Sequence, residues 1–137
     1  MTNTVLLIDD DEDDMLFFSE ALDQLAPEMK LEYFSCGLQA LEKLVHKQIK
    51  TPDVIFLDLN MPVLNGWECL KEIKKMAALQ HIPVVMYSTA NLHQSGLCPT
   101  DVGATAFYQK SNTFPELKNA LSDVLTSVLH WQLPSLT

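Results

Sequence analysis

The chain has 137 residues, the size of one domain, with 47% hydrophobic and 20% charged residues, so it has material for a core of its own and is not a disordered segment. Nine lysines and no arginine stand against eighteen aspartates and glutamates, a formal net charge of −9 that disfavours nucleic acid and anionic membrane surfaces as partners. Three scattered cysteines (Cys36, Cys69, Cys98) fit neither a disulfide framework nor a zinc site. There is no apolar run of about 18 residues to span a membrane, and no basic stretch before the apolar N-terminus to make a signal peptide. A cytoplasmic protein is expected.

In chain order, apolar runs alternate with helical patterns. Val5 to Ile8 reads as a buried strand, ended by the acid run Asp9-Asp10-Asp11-Glu12-Asp13-Asp14. Met15, Phe18, Leu22 and Leu25 have helical spacing, closed by Pro27. Leu31 to Phe34 is a weak second strand, and Leu38, Leu41, Leu44 and Val45 mark a second helix. Asp53 to Asp58 is the clearest strand, followed by a loop over Met61 to Gly66 with Pro62 and Asn65-Gly66 as turn signals. Trp67, Leu70, Ile73 and Ala77 predict a third helix; Ile82 to Tyr87 and Ala104 to Gln109 predict two more strands. A long amphipathic helix runs from Phe114 to Val128. Between Ser88 and Gly103 a fourth helix is due, but Gly96 and Pro99 predict that it is shortened or broken.

Five strands alternating with helices predict an α/β fold: a doubly wound parallel sheet with right-handed crossovers. In such sheets, ligands bind beyond the carboxyl ends of the strands. Those ends should therefore carry the chemistry. Asp9 and Asp10 end the first strand, Asp58 the third, Ser88 the fourth and Lys110 the fifth.

Carboxylates gathered in one crevice repel one another, by about 1 kcal/mol per pair at 4 Å in water and about 4 kcal/mol at an effective dielectric of 20. A proton or a cation must relieve this. A few hard oxygen ligands on rigid strand ends suit Mg²⁺. Lys110 adds a fixed positive charge and Ser88 a hydroxyl. Around Asp58 these groups form a phosphoryl pocket, with Asp58 as the nucleophile that becomes an acyl phosphate.

Four segments then match one family in order: Val5-Leu-Leu-Ile-Asp9-Asp10-Asp11, Val54-Ile-Phe-Leu-Asp58-Leu-Asn60-Met-Pro62, Pro83-Val-Val-Met-Tyr-Ser88-Thr-Ala90 and Gly103-Ala-Thr-Ala-Phe107-Tyr-Gln-Lys110. The chain resembles a receiver domain of a two-component response regulator, with the 58-to-88 and 58-to-110 spacings of the single-domain chemotaxis regulators. The resemblance implies a flavodoxin-like sheet in the order 2-1-3-4-5 and a single receiver domain over residues 1–137 with no output domain. It implies that Asp58 accepts phosphate from a partner histidine kinase or histidine phosphotransfer protein. Asp10 would bind Mg²⁺ directly and Asp9 through water, with Asp58 and the backbone carbonyl of Asn60 completing the protein ligands. Ser88 would bind the phosphoryl group, Lys110 would pair with Asp58, and Phe107 would repack with Ser88 as a two-state switch. The chain would catalyse only its own phosphorylation and slow dephosphorylation, and signal to an unknown target by protein contact. An alternative is a phosphorelay intermediate that passes phosphate to a second histidine protein.

Some features depart from the family. Ser111 replaces the proline usual after Lys110, Asn65 replaces an aspartate, and the interrupted fourth helix puts the usual signalling face in doubt. Two other classes compete. Asp9, Asp11, Asp13 and Glu20 fall at calcium-loop positions within residues 9–20, although Asp14 stands where glycine is needed. Asp58-Leu-Asn60 also resembles the nucleophile motif of haloacid-dehalogenase-like phosphatases, but Asn60 cannot serve as their general acid. Asp11, Glu12, Asp13 and Asp14 have a plainer reading together as an acidic helix start. The four histidines and two tryptophans are read as structural or surface groups.

Overall fold

The computed structural model describes residues 3–59, 61, 63–88, 103–110 and 113–129. The elements are β1 (Thr4–Ile8), α1 (Glu12–Leu25), β2 (Lys30–Phe34), α2 (Gly37–Val45), β3 (Val54–Asp58), α3 (Gly66–Lys75), β4 (Val84–Ser88), β5 (Ala106–Gln109) and α4 (Phe114–Ser127). All strand pairs are parallel, and the order is β2-β1-β3-β4-β5, the flavodoxin-like arrangement expected. The expected fourth helix (residues 91–102) and the Ser111 position lie outside the described residues.

The period of two along each strand builds two cores. Leu6, Ile8, Ile55, Leu57, Val84 and Met86 face one side and pack with Leu41, Leu44, Leu70 and Ile73 of α2 and α3. Val5, Leu7, Val54, Phe56, Val85 and Tyr87 face the other and pack with Phe18, Leu22, Leu121 and Leu125 of α1 and α4. With both faces covered, β1, β3 and β4 are buried along their whole length, so each reads as a nearly unbroken apolar run. β2 and β5 are the edges and contain no fully buried residue, which explains the weaker signal of β2.

Three boundaries differ from the sequence expectation by more than one residue. α3 stops at Lys75, so Ala77 lies in a turn rather than on the helix. β4 begins at Val84 and includes Ser88; Ile82 and Pro83 lead into it, Pro83 lacking the N–H a central strand needs. β5 begins at Ala106, two residues later than expected. The calcium-loop alternative also fails. Residues 12–25 are helix, so Asp13 and Glu20 sit on α1 and the 9–20 segment is not an ion-binding loop.

Two loop residues fix the ground around Asp58. α3 begins with a reciprocal cap: Asn65 Oδ1 accepts from Glu68 N at 3.0 Å, and Glu68 Oε1 accepts from Asn65 N at 3.2 Å. Gly66 donates its N–H to Leu59 O at 3.0 Å, and a Cβ at this position would clash with the Asp58 carbonyl and lie 2.7 Å from Leu59 Cα. Only glycine lets α3 start this close to the backbone of Asp58 and Leu59.

Gly66→Ala is therefore expected to push the start of α3 off the end of β3, at a cost of about 1–3 kcal/mol for overpacking against backbone. A denaturant midpoint unchanged from wild type would show that the loop has slack.

Candidate functional site

The register sets the site. Ile8 pairs with Leu57 across β1 and β3, Asp58 with Tyr87 across β3 and β4, and Ser88 with Gln109 across β4 and β5. The carboxyl ends of β1, β3, β4 and β5 are thus level, and the residues that end or follow them share one crevice.

Asp9 follows β1 and is fully buried, with four bonds holding it. Its N–H donates to Phe34 O at 3.1 Å, and its carbonyl accepts from Tyr33 Oη at 2.7 Å. Its Oδ1 accepts from Asp11 N at 2.9 Å, and its Oδ2 accepts from Tyr87 Oη at 2.5 Å. A buried carboxylate needs such partners, since an isolated one would cost several kcal/mol to desolvate. Asp58, the last residue of β3, is 3% exposed, whereas Asp10 faces solvent.

Lys110 answers these charges. Its Nζ lies 2.7 Å from Asp14 Oδ2, 3.1 Å from Asp9 Oδ2 and 3.3 Å from Asp58 Oδ2, with its side chain 12% exposed. Its backbone N–H donates to Ser88 O at 2.7 Å, which ties the end of β5 to the end of β4. Burial pulls its pKa down, but the hydrogen bond to Asp14 and the charges of Asp9 and Asp58 outweigh burial and raise it, so it is an ammonium at neutral pH. The same Nζ lies 4.9 Å from the centroid of the Tyr87 ring. Burial first, and then the charge of Asp9 and the hydrogen bond to it, raise the Tyr87 phenol well above its ordinary value, so it stays protonated and a donor. Burial and then Asp9 raise Tyr33 in the same direction.

One oxygen from each of Asp9, Asp10 and Asp58 lies within 4.8 Å of the others, a spread compatible with one cation. The donor set is all hard carboxylate oxygen, which selects Mg²⁺, Mn²⁺ or Ca²⁺ over softer metals. Charge balance points the same way. Asp9, Asp10, Asp14 and Asp58 bring four negative charges, and Lys110 is the one ammonium paired with them among the described residues. A divalent cation would reduce the excess that remains.

Of the expected site residues, Asp9, Asp10, Asp58 and Lys110 come together. Ser88 ends β4, fully buried, beside them. Phe107 is half-buried on β5 and packs on the α2/α3 side of the sheet. Asn60 lies outside the described residues. Two participants escaped the sequence reading. Asp14 was grouped with the acidic helix start, and the cap does account for its neighbours: Asp11 Oδ1 accepts from Asp13 N at 2.9 Å and Asp14 N at 3.3 Å. The Asp14 side chain, in the first turn of α1, reaches Lys110 instead. Tyr87 carried a signal: a tyrosine inside a buried strand needs a partner for its hydroxyl.

Residues 5–122 match the response regulator receiver domain family. The chemotaxis protein CheY of Halobacterium salinarum is 30% identical over 133 residues, covering 93% of this chain and 100% of that protein. The fold superposes on a phosphorylated cyanobacterial phytochrome response regulator, RcpA, with a TM-score of 0.86 and 27% identity, covering 98% of this chain and 100% of the other. The Mn²⁺-bound response regulator Rcp1 gives a TM-score of 0.82 at 25% identity, covering 97% and 99%. Other relatives are longer: the chain spans a quarter of the length of a probable cyclic di-GMP phosphodiesterase of Vibrio cholerae, at 29% identity over 116 residues.

Two outcomes test this geometry. Lys110→Ala leaves Asp9 and Asp58 without their ammonium. It is expected to cost about 2–3 kcal/mol in urea unfolding, below the 3–5 kcal/mol of a fully enclosed pair because solvent reaches Asp14, and millimolar Mg²⁺ should restore part of the loss. Asp10→Ala should weaken Mg²⁺ binding in a calorimetric titration by tenfold or more on the order of a lost ligand, whereas Asp13→Ala, on the capping turn, should leave it unchanged.

Proposed function

The chain belongs to the response regulator receiver family, and within it we propose that this protein works as a phospho-accepting switch. The single observation that carries the reading is the meeting of Asp9, Asp10 and Lys110 with Asp58, at the carboxyl ends of adjacent parallel strands.

In this reading Asp58 is the nucleophile. One of its carboxylate oxygens attacks the phosphorus of a phosphohistidine on the partner kinase or phosphotransfer protein. The P–O bond forms as the P–N bond breaks, and the histidine nitrogen leaves with the electron pair. Lys110, already 3.3 Å from Asp58 Oδ2, neutralises a phosphoryl oxygen as charge shifts onto the transferring group. Asp9, Asp10 and Asp58, with the Asn60 carbonyl, would hold Mg²⁺, which supplies further charge neutralisation to the phosphoryl oxygens. Ser88 offers its hydroxyl to the new phosphoryl group, and its movement is coupled to the packing of Phe107 on the neighbouring strand. The chemistry is one phosphoryl per cycle, not turnover of a free substrate.

The surroundings support recognition by protein contact. Leu16 and Phe17 on α1, Leu38 on α2 and Val63 in the β3–α3 loop are more than half exposed, and Phe17 lines a cavity together with Asp14 and Lys110. Val63 is 85% exposed and has a φ of 69°, a conformation that a β-branched residue adopts only under strain. A cavity of about 410 Å³ between α1 and α4, lined by Phe17, Tyr108, Lys110 and Phe114 among others, continues the apolar surface up to the site. Among the described residues no helix is long and apolar enough to cross a membrane. The reading places the protein in the cytoplasm, between a histidine kinase and a protein target.

The test is intact mass after incubation with acetyl phosphate, with and without Mg²⁺, for wild type and Asp58→Asn. One added phosphoryl group that needs both Mg²⁺ and Asp58 is expected. Labelling retained in Asp58→Asn would sink the assignment.

A further inference from the structure

Phosphoryl transfer as described makes no use of Tyr87, yet this side chain enters the acid pocket from the core. It is the penultimate residue of β4 and 7% exposed, and its ring meets Phe56 edge-on at 6.5 Å. Its hydroxyl donates to Asp9 Oδ2. Lys110 Nζ lies 3.1 Å from that same oxygen and 4.9 Å from the Tyr87 ring. The other Asp9 oxygen, Oδ1, accepts from Asp11 N.

Both oxygens of Asp9 are therefore engaged by the protein itself. A carboxylate oxygen has two lone pairs, and those of Oδ2 already meet a phenol and an ammonium. A cation that recruits this oxygen draws it away from its partners, and the two lose unequally: Lys110 keeps Asp14 and Asp58, whereas the buried phenol gives up the acceptor it holds here, and leaving a buried donor unpaired is costly. Mg²⁺ also demands near-octahedral geometry and tolerates a displaced ligand poorly.

We propose that Tyr87 is a positioning residue that restrains the cation site: its hydroxyl holds Asp9 Oδ2 toward Lys110, so that the pocket binds a divalent cation more weakly than it would without that hydroxyl. The restraint keeps Lys110 seated among Asp9, Asp14 and Asp58 when no cation is bound. It rests on the reading that Asp9, Asp10 and Asp58 hold such a cation. The sign of the effect separates this role from its alternatives. A donor that orients a ligand for the metal, or that merely supports the fold, loses metal affinity when removed; a restraint gains it.

The experiment is a calorimetric titration of Mg²⁺, repeated with Mn²⁺, into wild type, Tyr87→Phe and Tyr87→Leu. Removing one net hydrogen bond of competition is expected to lower the dissociation constant about three- to tenfold in Tyr87→Phe. Tyr87→Leu should shift the same way, since the hydroxyl and not the ring is at issue. A dissociation constant in Tyr87→Phe that is unchanged or larger overturns the proposal. If either case accompanies Mg²⁺-dependent labelling of Asp58, the proposal fails while the phospho-acceptor reading stands. If neither metal binds wild type or variants, the cation reading fails and takes this inference with it. A second readout needs no folded variant. Saturating Mg²⁺ should produce a near-ultraviolet tyrosine difference spectrum in the wild type as Oη loses Asp9, and a flat difference spectrum in protein shown to bind Mg²⁺ would equally overturn the proposal.

Discussion

Lys110 stands at the centre of this structure, because a parallel sheet that ends in carboxylates holds together only if something answers their charge. Asp9 is fully buried and Asp58 nearly so, and Asp14 leans in from the first turn of α1. At separations near 3 Å, opposite charges interact by several kcal/mol at the dielectric of a protein surface. One ammonium shared among Asp9, Asp14 and Asp58 supplies that attraction. It also draws the end of β5, the start of α1 and the ends of β1 and β3 into one cluster. The compensation is incomplete, and a pocket left with excess negative charge favours a cation.

The fold is arranged to deliver these groups with little freedom. The register sets Asp58 beside Tyr87 and Ser88 beside Gln109. Gly66 brings α3 against the backbone of Asp58, and the Asn65–Glu68 cap fixes where that helix begins. Asp9 is bonded through its N–H, its carbonyl and both side-chain oxygens. Placement of this kind lets a small site act by electrostatics, since most of its dipoles and charges are held in position by the fold itself. The exposed groups behave otherwise. Asp10 faces solvent, and Leu16, Phe17, Leu38 and Val63 present exposed apolar surface.

The legible parts of the fold were those governed by burial. β1, β3 and β4 are enclosed on both faces, so their apolar runs are plain in the sequence; β2 lies at an edge, and its signal is weaker for that reason. Element ends were less legible. Ala77 continues the helical spacing of α3 but lies past its C-cap at Met76, where the chain has already turned extended. The acid run was read as two groups, site and helix start, and Asp14 crosses that division. Its place in the first turn of α1 satisfies the helix, and its side chain satisfies Lys110.

The sequence by itself determined the alternation of strands and helices and the residues that would stand at the strand ends, which follow from apolar periodicity; the sheet order came only with the family resemblance. The sequence also held the four segments that place Asp9, Asp58, Ser88 and Lys110 together. What only the tertiary structure decided is how the charges are shared. That Lys110 divides itself among three aspartates, and that Tyr87 claims the same oxygen of Asp9, depends on distances between side chains far apart in the sequence, 96 positions for Lys110 and Asp14 and more for Lys110 and Asp9. No local pattern encodes such distances. They arise when the packed sheet fixes the angles at which the strand ends project, and side-chain direction then determines which donor meets which acceptor.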